Sequence, residues 1–394
     1  MALLDLRAPK LNWKILLVLS FGHLVTDIYQ GALPAILPFL KARLSLSYAM
    51  AGVILMAANF TSSIMQPLFG YLSDQKEKLI LLPLGCLAAG LGLALLPAPS
   101  HYGFILLLVM VSGLGVAAYH PEGYKTAHYF TGKNLATGMS VFSVGGNLGF
   151  ALGPMIALTI VTRLGFDFLP VIVIFSLLFF SVFLVHWKSI STAKPGRAEA
   201  GPPAGEIGRN AYLPLFLTIG AVVMRSWTQL GLMTYIPFYY IDYLKGDPMY
   251  SGKLISTFLL GGVAGTILGS ILADRFGHKR LLVISLLLTS LLVPLILVAR
   301  GPALFAVLAV IGLALISSFT VTVVMAQRLL PQNLGIASGL MVGFAIGVGG
   351  LGVTLLGLIA DHFGIPLALK SIMILPMIGL GLSLLIRYPE VRRW

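Results

Sequence analysis

The chain has 394 residues, of which 58% are hydrophobic and 10% charged, and its formal net charge is +13. A soluble domain has roughly 45–50% apolar and about 25% charged residues, so this composition excludes a soluble protein and predicts a polytopic membrane protein. Membrane topology and anionic lipid explain the basic excess, and a nucleic-acid partner is not expected.

Apolar runs predict twelve membrane-spanning helices, because a helix needs about 20 mostly apolar residues to cross the hydrocarbon layer. The predicted spans are 13–40, 47–73, 79–97, 102–124, 134–160, 165–187, 211–241, 250–273, 280–299, 302–327, 332–360 and 365–387. The polar stretch 188–210 separates six spans from six. We therefore predict an N-terminal six-helix bundle (1–187), a cytoplasmic linker (188–210) and a C-terminal six-helix bundle (211–394).

The second half of the chain repeats the first at an offset of between 199 and 201 residues. The matches include Gln30 with Gln229, Asp74 with Asp274, and Ala136-Thr137-Gly138 with Ala337-Ser338-Gly339. Two similar halves related by an axis along the membrane normal are typical of secondary transporters, which hold substrate between the halves. The repeat predicts an all-α integral membrane fold of two pseudo-symmetric six-helix bundles.

Lysine and arginine positions predict that both termini are cytoplasmic, because cytoplasmic loops retain positive charge. With that orientation, 18 of the 26 basic residues lie on the cytoplasmic side and seven on the opposite side. The remaining one, Arg225, lies deep within a span. The first span is too long for a cleavable signal peptide, so it is expected to stay in the mature protein.

The first span carries a polar stripe at the depth of the membrane centre. His23 and Asp27 stand one turn apart and Gln30 continues the same face. Ionisable residues in a span are costly and mark functional sites, so we expect this face to line the central cavity, with His23 and Asp27 carrying protons and His23 and Gln30 contacting substrate. Alternatively, His23 and Asp27 pair only to hold helices together.

The seventh span places Arg225 and Gln229 on one face. A guanidinium is effectively never deprotonated, so Arg225 needs an anionic partner. Either an anionic substrate or the carboxylate of Asp27 could serve. The alternative to substrate binding is a permanent Arg225–Asp27 bridge.

The fourth span ends in His120-Pro121-Glu122, with Lys125 one turn further on. Pro121 removes a backbone donor and is expected to bend the helix, leaving His120 and Glu122 at a break. A carboxyl group in partly apolar surroundings suits proton transfer. Alternatively, Glu122 pairs with Lys125 at the helix end and His120 is structural.

Weaker signals come from polar and glycine positions in the second and fifth spans. Asn59 and Gln66 share one face of the second span, and Asn147 lies in the fifth; each lines the cavity or joins helices. Gly149, Gly153 and Pro154 permit close packing and also bending of the fifth span. We expect this span to flex during transport.

The two halves also share a charged loop. Ser270 to Arg280 contains Asp274, Arg275 and Gly277, and its counterpart after the second span contains Asp74. Such charge clusters can lock one conformation at the cytoplasmic mouth. These loops resemble the Gly-x-x-x-Asp-Arg-x-Gly-Arg motif of the major facilitator superfamily, and Gly149-x-x-x-Gly153-Pro154 resembles the fifth-helix motif of its proton-coupled antiporters.

Four shorter segments are similar to the fosmidomycin resistance protein family of exporters. They are Gly22-His23-Leu24-Val25-Thr26-Asp27, Gln66-Pro67-Leu68-Phe69-Gly70-Tyr71, His120-Pro121-Glu122 and Val144-Gly145-Gly146-Asn147-Leu148-Gly149. The resemblance implies proton-driven export of small molecules, which in the type member is a phosphonate antibiotic. It also implies a bacterial inner membrane, a proton gradient as the energy source and no cofactor.

The working hypothesis is a monomeric antiporter that works by alternating access, binding an amphiphilic or anionic small molecule and protons. A proton-coupled importer of an organic anion on the same fold is the main alternative. A metal-ion exporter is less favoured, because only His23 and Asp27 suggest a cation site and Arg225 opposes one. A membrane-embedded enzyme has only His120 and Glu122 in its support, so no catalytic or metal residue is predicted.

Overall fold

The computed structural model of the protein describes residues 11–46, 48–75, 79–132, 135–191, 211–245 and 248–388. Within these ranges the chain is almost entirely helical and contains no strand. Eleven helical segments there are long and apolar enough to cross a membrane. The predicted all-α membrane fold is confirmed.

The third predicted span is a shorter apolar helix than expected, Leu81–Ala94, with 14 residues. The prediction ran to residue 97, but the residues after Ala94 form turns. Pro97 explains this early end, because the residue before a proline is disfavoured in helical conformation.

The chain divides into two units. Unit 1 takes in the described residues between 1 and 203 together with 332–344, and unit 2 takes in those between 204 and 331 together with 345–394. Most of the predicted linker, from residue 192 to residue 210, lies outside the described residues. The predicted division into two bundles and a linker stays a prediction.

Unit 1 is built from eight α-helices, a 3-10 segment and a π-helical segment within the described ranges. They are α1 (Trp13–Leu44), α2 (Tyr48–Ile64), α3 (Gln66–Gln75), α4 (Leu81–Ala94), α5 (Tyr102–His128), α6 (Leu135–Arg163), the 3-10 segment Phe166–Val173, α7 (Ile174–Ser191), α13 (Leu334–Ser338) and the π segment Gly339–Phe344.

Unit 2 contains the remaining described helices. They are α8 (Tyr212–Phe238) with the π segment Tyr239–Tyr243, α9 (Pro248–Phe276), α10 (His278–Leu292) with the 3-10 segment Val293–Leu297, α11 (Pro302–Ile316), α12 (Phe319–Leu329), α14 (Ala345–Phe363), α15 (Ile365–Ile372) and α16 (Ile374–Leu385).

The internal repeat appears as the same helix pairing in each unit. In unit 1, α1 packs along α6 and α2 along α5; in unit 2, α8 packs along α14 and α9 along α11. One hydrogen bond is also repeated. The amide of Asn12 donates to the Phe130 carbonyl at 3.0 Å, and that of Ala211 to the Leu329 carbonyl at 2.9 Å. Both bonds satisfy a donor at the start of a unit's first helix.

Glycines allow α1 and α6 to approach closely. A Cβ added at Gly145, Gly149 or Gly153 would collide with the carbonyl oxygens of Ser20, Leu24 and Ile28, respectively. These three glycines are four residues apart and lie on one stripe of α6. The backbone of α1 therefore rests directly on α6, which is the packing that small residues permit in membranes.

Replacing Gly149 with alanine is expected to lower the thermal unfolding temperature of the purified protein. The new methyl group would meet backbone atoms of Leu24, and overpacking of this kind costs about 1–3 kcal/mol. Gly103→Ala is the matched control, since a Cβ there meets nothing within 4 Å. Equal unfolding temperatures for the two variants would contradict the close α1–α6 contact.

Candidate functional site

A buried carboxylate of α1 lies between two imidazoles, one from α1 and one from α5, in unit 1. Asp27 Oδ1 is 3.0 Å from His120 Nε2, and Asp27 Oδ2 is 3.4 Å from His23 Nε2. All three residues are at most 9% exposed. The structure thus joins three of the four predicted proton-coupling residues into one cluster, called the His–Asp cluster below.

The His23 ring is held on its far side by α6. Its Nδ1 donates to the Phe142 carbonyl at 2.9 Å, and the ring stacks on that of Phe142 with centroids 4.3 Å apart. A Cβ added at Gly146 would strike His23 Nε2 and lie 2.7 Å from Asp27 Oδ2. The absence of a side chain at Gly146 therefore makes room for the cluster.

Helix α5 continues through Pro121, with His120 and Glu122 both inside it. The predicted break at the proline is not seen. Residues two apart on a helix face different directions, so His120 faces Asp27 while Glu122 faces α3. The fourth predicted proton-coupling residue, Glu122, therefore belongs to a second cluster.

The second cluster joins Glu122 to the end of α3. Ser73 donates its hydroxyl to Glu122 Oε2, and Lys125 Nζ donates to the Ser73 carbonyl at 2.5 Å and contacts Asp74 Oδ1 at 3.9 Å. Glu122, Lys125 and Ser73 are buried. Glu122 and Lys125 are therefore connected through Ser73, to which both of them bind.

Asp74 also caps the start of α13. Its two carboxylate oxygens accept hydrogen bonds from the amides of Gly335 and Ile336, each at 2.9 Å. The first amides of a helix have no partner within the helix, and a carboxylate there is electrostatically favoured. Asp74 therefore ties α3 to residues 334–338 within unit 1, and a gating role for it stays a prediction.

In unit 2, Arg225 is 1% exposed and lies in the middle of α8. Its guanidinium carbon is 5.1 Å from the centroid of the Phe319 ring, a cation–π distance. Gln229, one turn further on, is half-buried. Arg225 thus lies buried within α8, as expected for a residue deep in a span, while substrate binding by either residue stays a prediction.

The other predicted gating residues lie at the junction of α9 and α10 rather than in a loop: Asp274 and Arg275 belong to the last turn of α9, and Gly277 separates the two helices. Asp274 Oδ1 lies 3.7 Å from His278 Nε2, and the Arg275 guanidinium carbon lies 5.2 Å from the Phe276 ring centroid. Gly277 has φ of +108°, which side chains rarely tolerate. Gly277 is therefore required by the turn itself, whatever its part in gating.

The remaining predicted residues belong to neither cluster. Gln30 and Asn147 are half-buried and Asn59 is exposed, while Gly149, Gly153 and Pro154 all lie within α6. Three residues in or beside the two clusters were not predicted as site residues, and one of them, Lys125, was expected only as a helix-end partner of Glu122. Ser73 was signalled only by its place before Asp74, and Gln66, which contacts His120, was noted only as polar.

The His–Asp cluster has the residue types of a metal site. His23, Asp27 and His120 each offer one ligand atom, and these atoms lie within 4.8 Å of one another. Two histidines and a carboxylate are accepted by zinc and by other divalent transition metals. The sequence suggested only two of these ligands, because His120 comes from another helix.

Comparison with known proteins decides the family. The profile of the Major Facilitator Superfamily matches residues 19–256 and 232–393. The chain belongs to the Major Facilitator Superfamily. It is a membrane-spanning transporter, and the resemblance seen in its loops and in its first half is confirmed.

Two curated relatives extend over nearly the whole chain. The uncharacterized MFS-type transporter YfnC of Bacillus subtilis is 33% identical over 389 residues, covering 97% of this chain and 95% of that protein. The fosmidomycin resistance protein of Escherichia coli is 32% identical over 378 residues, covering 94% and 92%, respectively.

Solved structures of the superfamily share the fold. The fucose:proton symporter FucP of E. coli superimposes with a TM-score of 0.73 at 14% identity, covering 95% of this chain and 99% of that one. The proton:xylose symporter XylE gives a TM-score of 0.71 at 14% identity, covering 95% of each chain.

Replacing Lys125 with methionine is expected to destabilise unit 1 strongly. The variant would leave the buried carboxylates of Glu122 and Asp74 without their nearby cation, and removing one member of a buried ionic group costs about 3–5 kcal/mol. Thermal unfolding in detergent measures this effect. Lys253→Met, at an exposed position, is the control; equal stability of the two variants would show that Lys125 does not stabilise the second cluster.

Proposed function

We propose that this transporter is a proton-coupled exporter of small anionic or amphiphilic molecules, such as phosphonate-type drugs, in a bacterial inner membrane. The observation that carries the proposal is the His–Asp cluster, a buried carboxylate with an imidazole on each side. The proton gradient supplies the energy, and the transporter needs no cofactor and acts as a monomer.

The His–Asp cluster is suited to proton exchange because its net charge changes when it takes up or releases a proton. An isolated charge within the hydrocarbon layer costs several kcal/mol, so a carboxylate with two titratable neighbours can exchange a proton at a smaller cost than one surrounded by apolar groups. Transfer of one charge across the membrane is worth about 2.3 kcal/mol per 100 mV. A single proton per cycle could therefore drive considerable accumulation or export.

Arg225 supports an anionic substrate. Its guanidinium stays charged throughout the physiological pH range, and it lies buried in α8 against Phe319. A planar guanidinium binds phosphonate or carboxylate oxygens with two parallel hydrogen bonds. We assign Arg225 to the substrate's anionic group and Gln229, Gln30, Asn59 and Asn147 to its polar contacts.

The remaining predicted residues have supporting roles in this proposal. Glu122 is a second proton carrier that acts through its Ser73 and Lys125 partners. Asp74, Asp274, Arg275 and Gly277 hold the loops in one conformation, and Gly149, Gly153 and Pro154 allow α6 to bend. Export, rather than import, is supported by the relative whose name records fosmidomycin resistance.

Asp27→Asn is expected to abolish proton-driven transport in proteoliposomes while keeping substrate counterflow. The amide has nearly the shape of a protonated carboxyl group but cannot release a proton, so the steps that need no proton exchange remain possible. Uphill phosphonate flux under an imposed pH gradient and counterflow without one are the two measurements. The control is Asp167→Asn, which alters an exposed carboxylate paired with Arg43.

Uphill flux that is indifferent to the pH gradient and unchanged in Asp27→Asn would contradict proton coupling. Direction is tested separately in cells with and without the gene. Lower intracellular phosphonate in cells that carry it supports export, whereas higher intracellular levels of an organic anion would favour the importer.

Arg225→Ala is expected to remove the thermal stabilisation that anionic ligands give the purified protein. A screen of phosphonates, organic anions and cationic drugs measures the shift of each variant relative to its own ligand-free value, so a lower starting stability does not obscure the result. Arg300→Ala is the control, because Arg300 is exposed and donates to the carbonyls of Leu297 and Ala299, which are close to it in the chain. Anion stabilisation that persists in Arg225→Ala would remove Arg225 from the substrate site.

A further inference from the structure

Each imidazole of the His–Asp cluster has a second ring nitrogen with a partner of its own. His23 Nδ1 lies 2.9 Å from the Phe142 carbonyl oxygen. A carbonyl oxygen can only accept a hydrogen bond, so Nδ1 of His23 carries a hydrogen. In neutral His23, Nε2 therefore has a free electron pair, and this atom faces Asp27 Oδ2.

His120 has the opposite arrangement because of Gln66. The side-chain amide nitrogen of Gln66 donates to the Ser62 carbonyl at 2.7 Å and lies 3.4 Å from His120 Nδ1. Rotating the amide by half a turn would place Oε1 against the Ser62 carbonyl, where two acceptors repel. The nitrogen therefore stays in place, and its second hydrogen points to His120 Nδ1.

His120 Nδ1 is thus an acceptor, which leaves the hydrogen of the neutral ring on Nε2. That hydrogen points to Asp27 Oδ1 at 3.0 Å. One oxygen of Asp27 is satisfied by a neutral imidazole. The other, Oδ2, faces the bare Nε2 of His23 at 3.4 Å, where two electron pairs oppose each other until one proton lies between them.

We propose that Gln66 is a positioning residue that holds His120 in its Nε2–H tautomer, so that the cluster takes up one proton, shared by His23 Nε2 and Asp27 Oδ2. The inference deepens the proposed function, since it places the coupling proton on two named atoms. It also gives His120 a different role from His23: His120 donates one hydrogen bond and does not take part in the exchange.

The other titratable groups around Asp27 have partners of their own. On α5, Tyr119 donates its hydroxyl to the Leu19 carbonyl at 2.8 Å, and the Tyr124 hydroxyl lies 3.2 Å from that of Ser143. On α4, Cys86 donates to the Ser176 hydroxyl at 3.7 Å. On α6, Phe142 and Gly146 carry no titratable group, and they present to the cluster a backbone carbonyl and a Cα without a side chain, respectively. The proton is thus confined to His23 and Asp27.

The same tautomer opposes metal binding. A metal ion would need the electron pairs of both Nε2 atoms, but in His120 that position carries the hydrogen. Metal-ligating histidines commonly donate their other ring N–H to a carboxylate or carbonyl, as His23 does and His120 does not. Gln66 therefore favours a proton over a divalent cation at a site whose residue types would otherwise suit both.

Nitrogen-15 NMR of imidazole-labelled protein in lipid bilayers tests the tautomers directly. His23→Gln and His120→Gln assign the two signals among the seven histidines. The expected result is Nδ1–H for His23 and Nε2–H for His120 when both are neutral. A wild-type His120 in the Nδ1–H form would overturn the proposal.

Two replacements of Gln66 are expected to act in different directions. Gln66→Met removes the donor at similar size and lowers the ratio of Nε2–H to Nδ1–H in His120 by roughly three- to tenfold, the value of one hydrogen bond. Gln66→Glu supplies an acceptor and should favour Nδ1–H. The His23 signal is the internal reference and Gln327→Met, a buried glutamine of α12 in unit 2, is the matched control. An unchanged His120 ratio in both Gln66 variants would overturn the role of Gln66.

Titration with Co²⁺, followed by visible absorption of the purified protein in detergent, tests the selectivity. We expect no Co²⁺ binding that depends on His120 in the wild type. Binding that His120→Gln removes would overturn the proposal and make the cluster a metal site.

The NMR measurement does not depend on transport. Flux without proton coupling, together with the tautomers as assigned, would therefore count against the proposed function alone.

Discussion

The close approach of α1 and α6 is the constraint on which the site in unit 1 depends. Gly149 and Gly153 place no side chain between the two backbones, so carbonyl groups of α1 rest against α6. At that separation the Phe142 carbonyl reaches His23, and Gly146 leaves room for Asp27. A larger side chain on this stripe would part the helices and remove a partner from the buried histidine. Neighbouring glycines of α6 therefore serve both purposes: Gly149 and Gly153 allow the contact with α1, and Gly146 leaves room for the polar residues.

The cost of charge inside a membrane explains why the ionisable residues of unit 1 occur in groups. Two clusters lie on different sides of α5, because His120 and Glu122 are two residues apart on one helix. His120 binds Asp27 of α1, and Glu122 binds Ser73 at the end of α3. Helix α5 is the element that the two clusters share. The Asp74 carboxylate at the end of α3 also accepts hydrogen bonds from two backbone amides at the start of α13.

The internal repeat preserves the scaffold and changes the chemistry. Both units pair their first and fifth spans, and both begin with the same amide-to-carbonyl hydrogen bond. At an offset of 199, however, His23 and Asp27 correspond to Val222 and Ser226, and Arg225 corresponds to Thr26. Acid and imidazole belong to one unit and the guanidinium to the other. This division of charge is the basis for assigning protons to unit 1 and an anionic group to unit 2.

The amino-acid sequence by itself determined the membrane class, most of the helices, the repeat and the family. Apolar runs and turn residues are local, and the spacing of His23 and Asp27 on one face follows from helix periodicity. The register between helices is not local. That His120 meets Asp27, 93 residues away, and that Gln66 sets its tautomer depend on where helices cross and at what depth. Backbone contacts at small residues decide that crossing, so only the tertiary structure could turn separate polar residues into a site for one proton.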